Sequence, residues 1–127
     1  MWSIDPYFAS KTQAKKFKKR FPCEFKSCFS NLQKVLDELN DGRNLLQIDY
    51  GFFRHEKAGV YRIGQSEIEH PHETRLYVSF DEESKIVYNL GIGEKNGQSK
   101  DIARHVKTVK EIKKAKECKK GESARKA

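Results

Sequence analysis

One stripe of apolar residues constrains this chain more than anything else in it. Phe25, Cys28, Phe29, Leu32, Val35, Leu36 and Leu39 follow one another at intervals of three and one, the spacing of a single helical face. Asn40-Asp41-Gly42 ends the pattern, and Gly42 is suited to a left-handed cap. The stripe therefore predicts a long amphipathic helix that must lie on something flat and apolar. Upstream, Ala14, Phe17 and Phe21 share a helical face within Lys11–Phe21, and Ser10 is placed to cap that helix. Its other face carries Lys11, Lys15, Lys16, Lys18, Lys19 and Arg20 with no acid among them. Pro22 separates the two helices.

The flat partner follows in sequence. Val60–Gln65 has strand character. Thr74–Phe80 alternates, placing Thr74, Leu76, Val78 and Phe80 on one side and Arg75, Tyr77 and Ser79 on the other. Asp81–Ser84 is a polar turn, and Lys85–Gly93 is the returning strand of a hairpin. Ser66–Glu73 reads as a long polar loop holding Pro71, and Ser3–Phe8 as a first strand. Ser99 is placed to cap a last helix bearing Ile102, Val106, Val109 and Ile112. The predicted order is β-α-α-β-β-β-α: an α+β domain with an antiparallel-rich sheet and a helical hairpin on one face. It occupies residues 1–115, and 116–127 form a basic, flexible tail with no core residue except Cys118.

Composition narrows the function classes. The chain of 127 residues is 36% apolar and 35% charged, with a net charge of +8. No run of about 18 apolar residues exists, which excludes a membrane span. Three cysteines, Cys23, Cys28 and Cys118, are too few and too scattered for a disulfide scaffold. MWSIDPYF lacks the basic and apolar regions of a secretory signal, so a reducing cytoplasm is expected. From Lys100 onward there are eleven Lys and Arg against four Asp and Glu, nearly the whole positive excess. A polyanion is the expected partner, either nucleic acid or an acidic protein.

Candidate sites follow from residue type. His70-Pro71-His72 between Glu69 and Glu73 has some metal-ligand character, but Pro71 forbids a regular helix, and an ordinary polar loop is the preferred reading. Cys23 and Cys28 lie about 140° apart around a helix and make no two-point site; Cys28 belongs to the core stripe. His55, within Phe53–Lys57, has the right pKa range for a general base, though a surface residue fits as well. Arg62 and Arg75 fall on adjacent strands and Lys95 in the turn after the last strand. Either these are unrelated charges on a solvated sheet face, or they grip phosphates while Tyr61, Tyr77 and Tyr88 stack on bases.

Val60-Tyr61-Arg62-Ile63, Glu73–Val78 and Ile86–Lys95, with a final helix, resemble the C-terminal half of RelE/ParE-superfamily toxins of bacterial toxin–antitoxin systems. The basic helix, the long helix and the glycine before them match in order and length, so the resemblance spans roughly residues 4–113. It implies a ribosome-dependent mRNA endoribonuclease that needs no metal or other cofactor, halts translation, and pairs with a cognate antitoxin. It implies that Arg75 contacts the scissile phosphate, that Arg62 positions the backbone, and that Lys95 donates a proton to the leaving oxygen. His55 or Lys57 would supply the base. Arg54, Lys57, Tyr61, Tyr77 and Lys100 are the expected RNA contacts. Ser99-Lys100-Asp101-Ile102 stands where the family carries a catalytic tyrosine. The alternatives are a ParE-like toxin that binds DNA gyrase without cutting RNA, and a non-toxic RNA-binding homologue.

Overall fold

The stripe forms the predicted helix. In the computed structural model, which describes residues 1–5, 11–66, 73–94 and 97–126, α1 spans Lys11–Arg20 and α2 spans Pro22–Asn40. Pro22 sits in the first turn of α2, where its missing N–H is harmless. At the other end Gly42 takes φ +97°, its N–H bonds Leu39 O at 3.1 Å, and Arg43 N–H bonds Glu38 O at 3.1 Å. That pair of bonds is the Schellman arrangement, which satisfies two carbonyls the helix would leave unpaired. Ser10 lies outside the described residues.

Five strands form one mixed sheet in the order β1-β5-β4-β3-β2: β1 (Ser3–Asp5), β2 (Phe53–Lys57), β3 (Val60–Gly64), β4 (Thr74–Asp81) and β5 (Ile86–Glu94). β1 runs parallel to β5, and the other three pairs are antiparallel. The strand β2 was not expected from the sequence. Its residues FRHEK alternate poorly and bury little, so the periodic signal is weak. They are held at an edge by pairing with β3 and by a tight turn in which Ala58 and Gly59 both take positive φ.

Packing also departs from the expected single covered face. On one side Cys28, Leu32, Val35 and Leu36 of α2 pack on Ile63, Leu76, Val78, Val87 and Ile92. On the other, α3 (Gln98–Lys126) lays Ile102, Val106, Val109 and Ile112 over Val60, Tyr77, Leu90 and Tyr88. The sheet is thus sandwiched, and the predicted second face of β4 is interior: Tyr77 is 0% and Ser79 8% exposed. Two glycines let α3 approach so closely. A Cβ on Gly91 would lie 2.9 Å from His105 Cε1, and one on Gly93 would strike the Asp101 carboxylate.

The last helix starts at Gln98, so Ser99 lies inside its first turn rather than capping it. It does not stop at Ala115 but runs helical to Lys126. Lys116 fastens this second half, with Nζ 2.8 Å from Asp81 Oδ2 and 3.2 Å from Glu83 Oε2. No helix among the described residues is long and apolar enough to cross a membrane.

Candidate functional site

Three arginines meet on the α3 side of the sheet. Register sets them there: Arg54 stands directly across from Arg62, Arg62 from Tyr77, and Arg75 from Gly64. Like charges directly opposite on neighbouring strands weaken a sheet, so the Arg54–Arg62 pair is a feature that stability alone would not retain. One carboxylate partly balances them. Glu56 Oε1 lies 3.1 Å from Arg62 Nε. Asp101, in the early part of α3, bonds Arg104 Nη2 at 3.1 Å through Oδ1. Gln98 Oε1 accepts from Arg62 Nη1 at 3.3 Å, tying the helix start to the cluster.

Burial sets the electrostatics. It lowers the Arg62 pKa; Glu56 opposes that shift, and the charges of Arg75 and Arg54 add to it. The guanidinium nevertheless stays charged at any working pH, because an arginine starts so high. Burial raises the Asp101 carboxyl against the pull of Arg104. Burial, then Asp101, pushes the Tyr77 phenol up to about 12, while Arg75 and Arg62 pull the other way. His105 packs on Tyr77 with ring centroids 5.0 Å apart. Its burial, aided by Arg104, lowers its pKa to about 4, so the imidazole is neutral at pH 7.

Two polar atoms within this cluster have no hydrogen-bond partner among the described residues: the hydroxyl of Tyr77 and Nε of Arg75. Arg75 does use one Nη1 hydrogen, on Thr74 O at 3.3 Å. Buried donors are almost always paired, so two neighbouring exceptions are informative.

The structure separates the expected site residues into groups. Arg54, Arg62 and Arg75 come together. Lys57 is exposed near the tip of the β2–β3 hairpin, and Lys100 is exposed in the first turn of α3. Lys95, His70 and His72 lie outside the described residues.

His55 lies within β2, opposite Tyr61, on the sheet face away from the arginines. Its ring sits 4.8 Å from that of Tyr61, and its Nε2 accepts from Gly59 N–H at 3.4 Å. Tyr61 faces the same way, stacked on Phe53 at 5.4 Å and edge-on to Phe80 at 5.1 Å. Tyr77 is enclosed by α3 and cannot offer a ring face to a base. The physical reason is common to all three: a strand sends successive side chains to opposite faces, and the register fixes which face each takes.

Tyr61 and Tyr88 instead help line a cavity of about 360 Å³ toward the far end of α3, together with Phe80, Val109, Ile112 and Lys113. Cys28 is fully buried, and burial raises its thiol to about 12, as befits a core residue. Among the described residues no three His, Cys, Asp or Glu gather as a metal site.

Glu56, Gln98, Asp101 and His105 were not picked out by sequence reasoning. Gly91-Ile92-Gly93 was the available signal: paired glycines on one strand face mark where a helix comes close. Comparison with family models, curated proteins and solved structures finds no match to this chain.

Proposed function

We propose that this chain is the toxin of a toxin–antitoxin pair, a RelE-like endoribonuclease that cuts mRNA at the ribosome. The observation that carries the reading is the convergence of Arg54, Arg62 and Arg75, from three neighbouring strands, beside the first turn of α3. The order of two helices, a strand meander and a closing helix lends further support.

RNA cleavage of this type proceeds by attack of a 2′-hydroxyl on the adjacent phosphate. Negative charge grows on the phosphoryl oxygens in the transition state, and preorganised cations stabilise it. Arg75 and Arg62 fill that role, since a guanidinium fork holds two phosphate oxygens at once. Glu56, beside Arg62, replaces His55 as the base for the attacking hydroxyl. Lys95 remains the proposed proton donor to the leaving oxygen. Arg54, Lys57 and Lys100 take flanking phosphates, consistent with the net charge of +8. An antitoxin segment that is acidic or amphipathic would cover the same surface.

Induced expression followed by mapping of mRNA 5′ ends tests the reading. The wild type should arrest growth and leave discrete cuts, and Arg75→Ala should abolish both while the protein remains folded. Unchanged cutting by Arg75→Ala would remove the site.

A second reading draws on one observation: with His55 on the opposite face, the described groups beside the arginines include no imidazole poised near neutrality. A ParE-like toxin that binds DNA gyrase needs no base, and would give DNA-damage signalling with intact mRNA. An RNA-binding homologue would show salt-dependent binding and no arrest.

A further inference from the structure

The Tyr77 hydroxyl is a donor held in place by everything around it. The side chain is 0% exposed, wedged by His105 and by Val60, Leu90 and Val109, so the ring cannot swing out to reach solvent. The charges of Asp101, Arg75, Arg62 and Glu56 all act on this phenol. Arg75 lies two residues earlier on the same strand, hence on the same face, and its Nε is the second buried donor without a partner. Arg62 stands across from Tyr77 in register.

Donors of three side chains thus share one face of the sheet, and the acceptors placed on Arg62 are Glu56 of β2 at 3.1 Å and Gln98 of α3 at 3.3 Å. Gln98 Oε1 takes one Arg62 hydrogen, and the Asp101 carboxylate packs on Gly93 and Gly97. These are oxygen atoms of the kind an anion would supply.

We infer that Tyr77, Arg75 and Arg62 form an interior pocket for a single phosphoryl group, entered when the first turn of α3 gives way. Within the proposed function, on which the choice of RNA as ligand rests, the group is one phosphodiester of the bound strand. Free phosphate shares the chemistry. Tyr77 serves as a hydrogen-bond donor and keeps its proton, since burial holds the phenol far above neutral pH. The Arg62–Gln98 bond, from a cation to a neutral amide, is exchanged for one in which both partners are charged. Asp101 opposes entry by its like charge.

The test is Tyr77→Phe in the full chain, which removes one oxygen and keeps the ring. Binding is titrated with an RNA dodecamer carrying 2′-deoxy substitutions, which cannot be cleaved, and separately with inorganic phosphate. Thermal midpoints are read without ligand. The variant should melt at or above the wild-type midpoint, because a buried unpaired donor has gone. Its affinity for the dodecamer should fall about ten- to a hundred-fold, the range for a hydrogen bond to a charged group. Asp101→Asn should bind the dodecamer more tightly.

Competition by free phosphate for the dodecamer would assign the pocket to phosphate from either source. Failure to compete would restrict it to RNA. Dodecamer affinity within twofold of wild type in Tyr77→Phe, or no binding of either probe by the wild type, overturns the pocket. If Tyr77→Phe weakens binding but the wild type leaves mRNA intact, the nuclease reading falls and the pocket stands. If mRNA is cut and affinity is unchanged in the variant, the reverse holds.

Discussion

Asn31 is a buried polar residue that holds the end of β3 from the side of the sheet opposite the arginine cluster. It interrupts the apolar stripe of α2 and is 1% exposed. Its Nδ2 donates to Gly64 O at 2.8 Å and lies 3.2 Å from Ser66 Oγ, whose hydroxyl is 3.3 Å from Asn31 Oδ1. Gly64 is the register partner of Arg75, so this side chain anchors the end of β3 where the site is built.

Asn31→Asp changes one atom type and almost no volume. An ionised carboxylate in place of the amide could donate nothing, and its charge would face a carbonyl oxygen in the interior. The folded state escapes by binding a proton, and that escape sets a ceiling on the damage. Between an unfolded carboxyl near 3.9 and pH 7 lie roughly three units at about 1.36 kcal/mol each, about 4 kcal/mol in all. The sign follows from the raised folded pKa of a buried acid. The loss is greatest at pH 7 and shrinks as pH falls toward the unfolded value, to below about 1 kcal/mol near pH 4.

Asn31→Leu is the control. It strands the Gly64 carbonyl for about 1–3 kcal/mol, with no pH dependence. Urea denaturation of both variants and the wild type at pH 7 and pH 4 gives the differences directly. An equal loss for Asn31→Asp at the two pH values would refute the reasoning, as would a loss under about 1 kcal/mol at pH 7.

Further outcomes follow from the α3 side. Because His105 is 3% exposed and its folded pKa lies near 4 against an ordinary 6.5, the unfolded chain binds a proton that the folded one refuses. Stability should be complete above pH 6.5 and drop by about 3 kcal/mol on acidification to pH 4, and His105→Leu should lack this share of the acid limb. Identical pH profiles for the two proteins would show that His105 is not buried as described. Gly91→Ala would place a methyl 2.9 Å from His105 Cε1 and 3.3 Å from Nε2, forcing the ring or α3 outward at about 1–3 kcal/mol. Denaturation together with the His105 ring-proton shifts reads this, and wild-type values of both would contradict the close approach.

Much of this architecture is legible along the chain because its signals are local. A helix stripe spaced by three and four, a glycine in left-handed conformation at Gly42, and the alternation from Thr74 to Phe80 each need only neighbouring residues. Arg62 and Arg75 could be placed on adjacent strands for the same reason, since a meander pairs what is consecutive.

What lay beyond the sequence is everything that depends on which layer closes over which face. Alternation puts Tyr77 on the side away from Leu76, but not whether that side meets water or a helix. Only the packing of α3, admitted by Gly91 and Gly93, turned an expected base-stacking tyrosine into an enclosed donor. The same holds for His55 and Tyr61, whose face was decided by pairing with a strand too weakly patterned to be foreseen. Local conformation is set by near neighbours, whereas burial and convergence are set by residues distant in sequence, such as Asp101 beside Gly93 and Gln98 beside Arg62. The chain alone therefore determined its strongly patterned elements and its basic charge, and the tertiary structure decided the weakly patterned β2 and which of those charges meet.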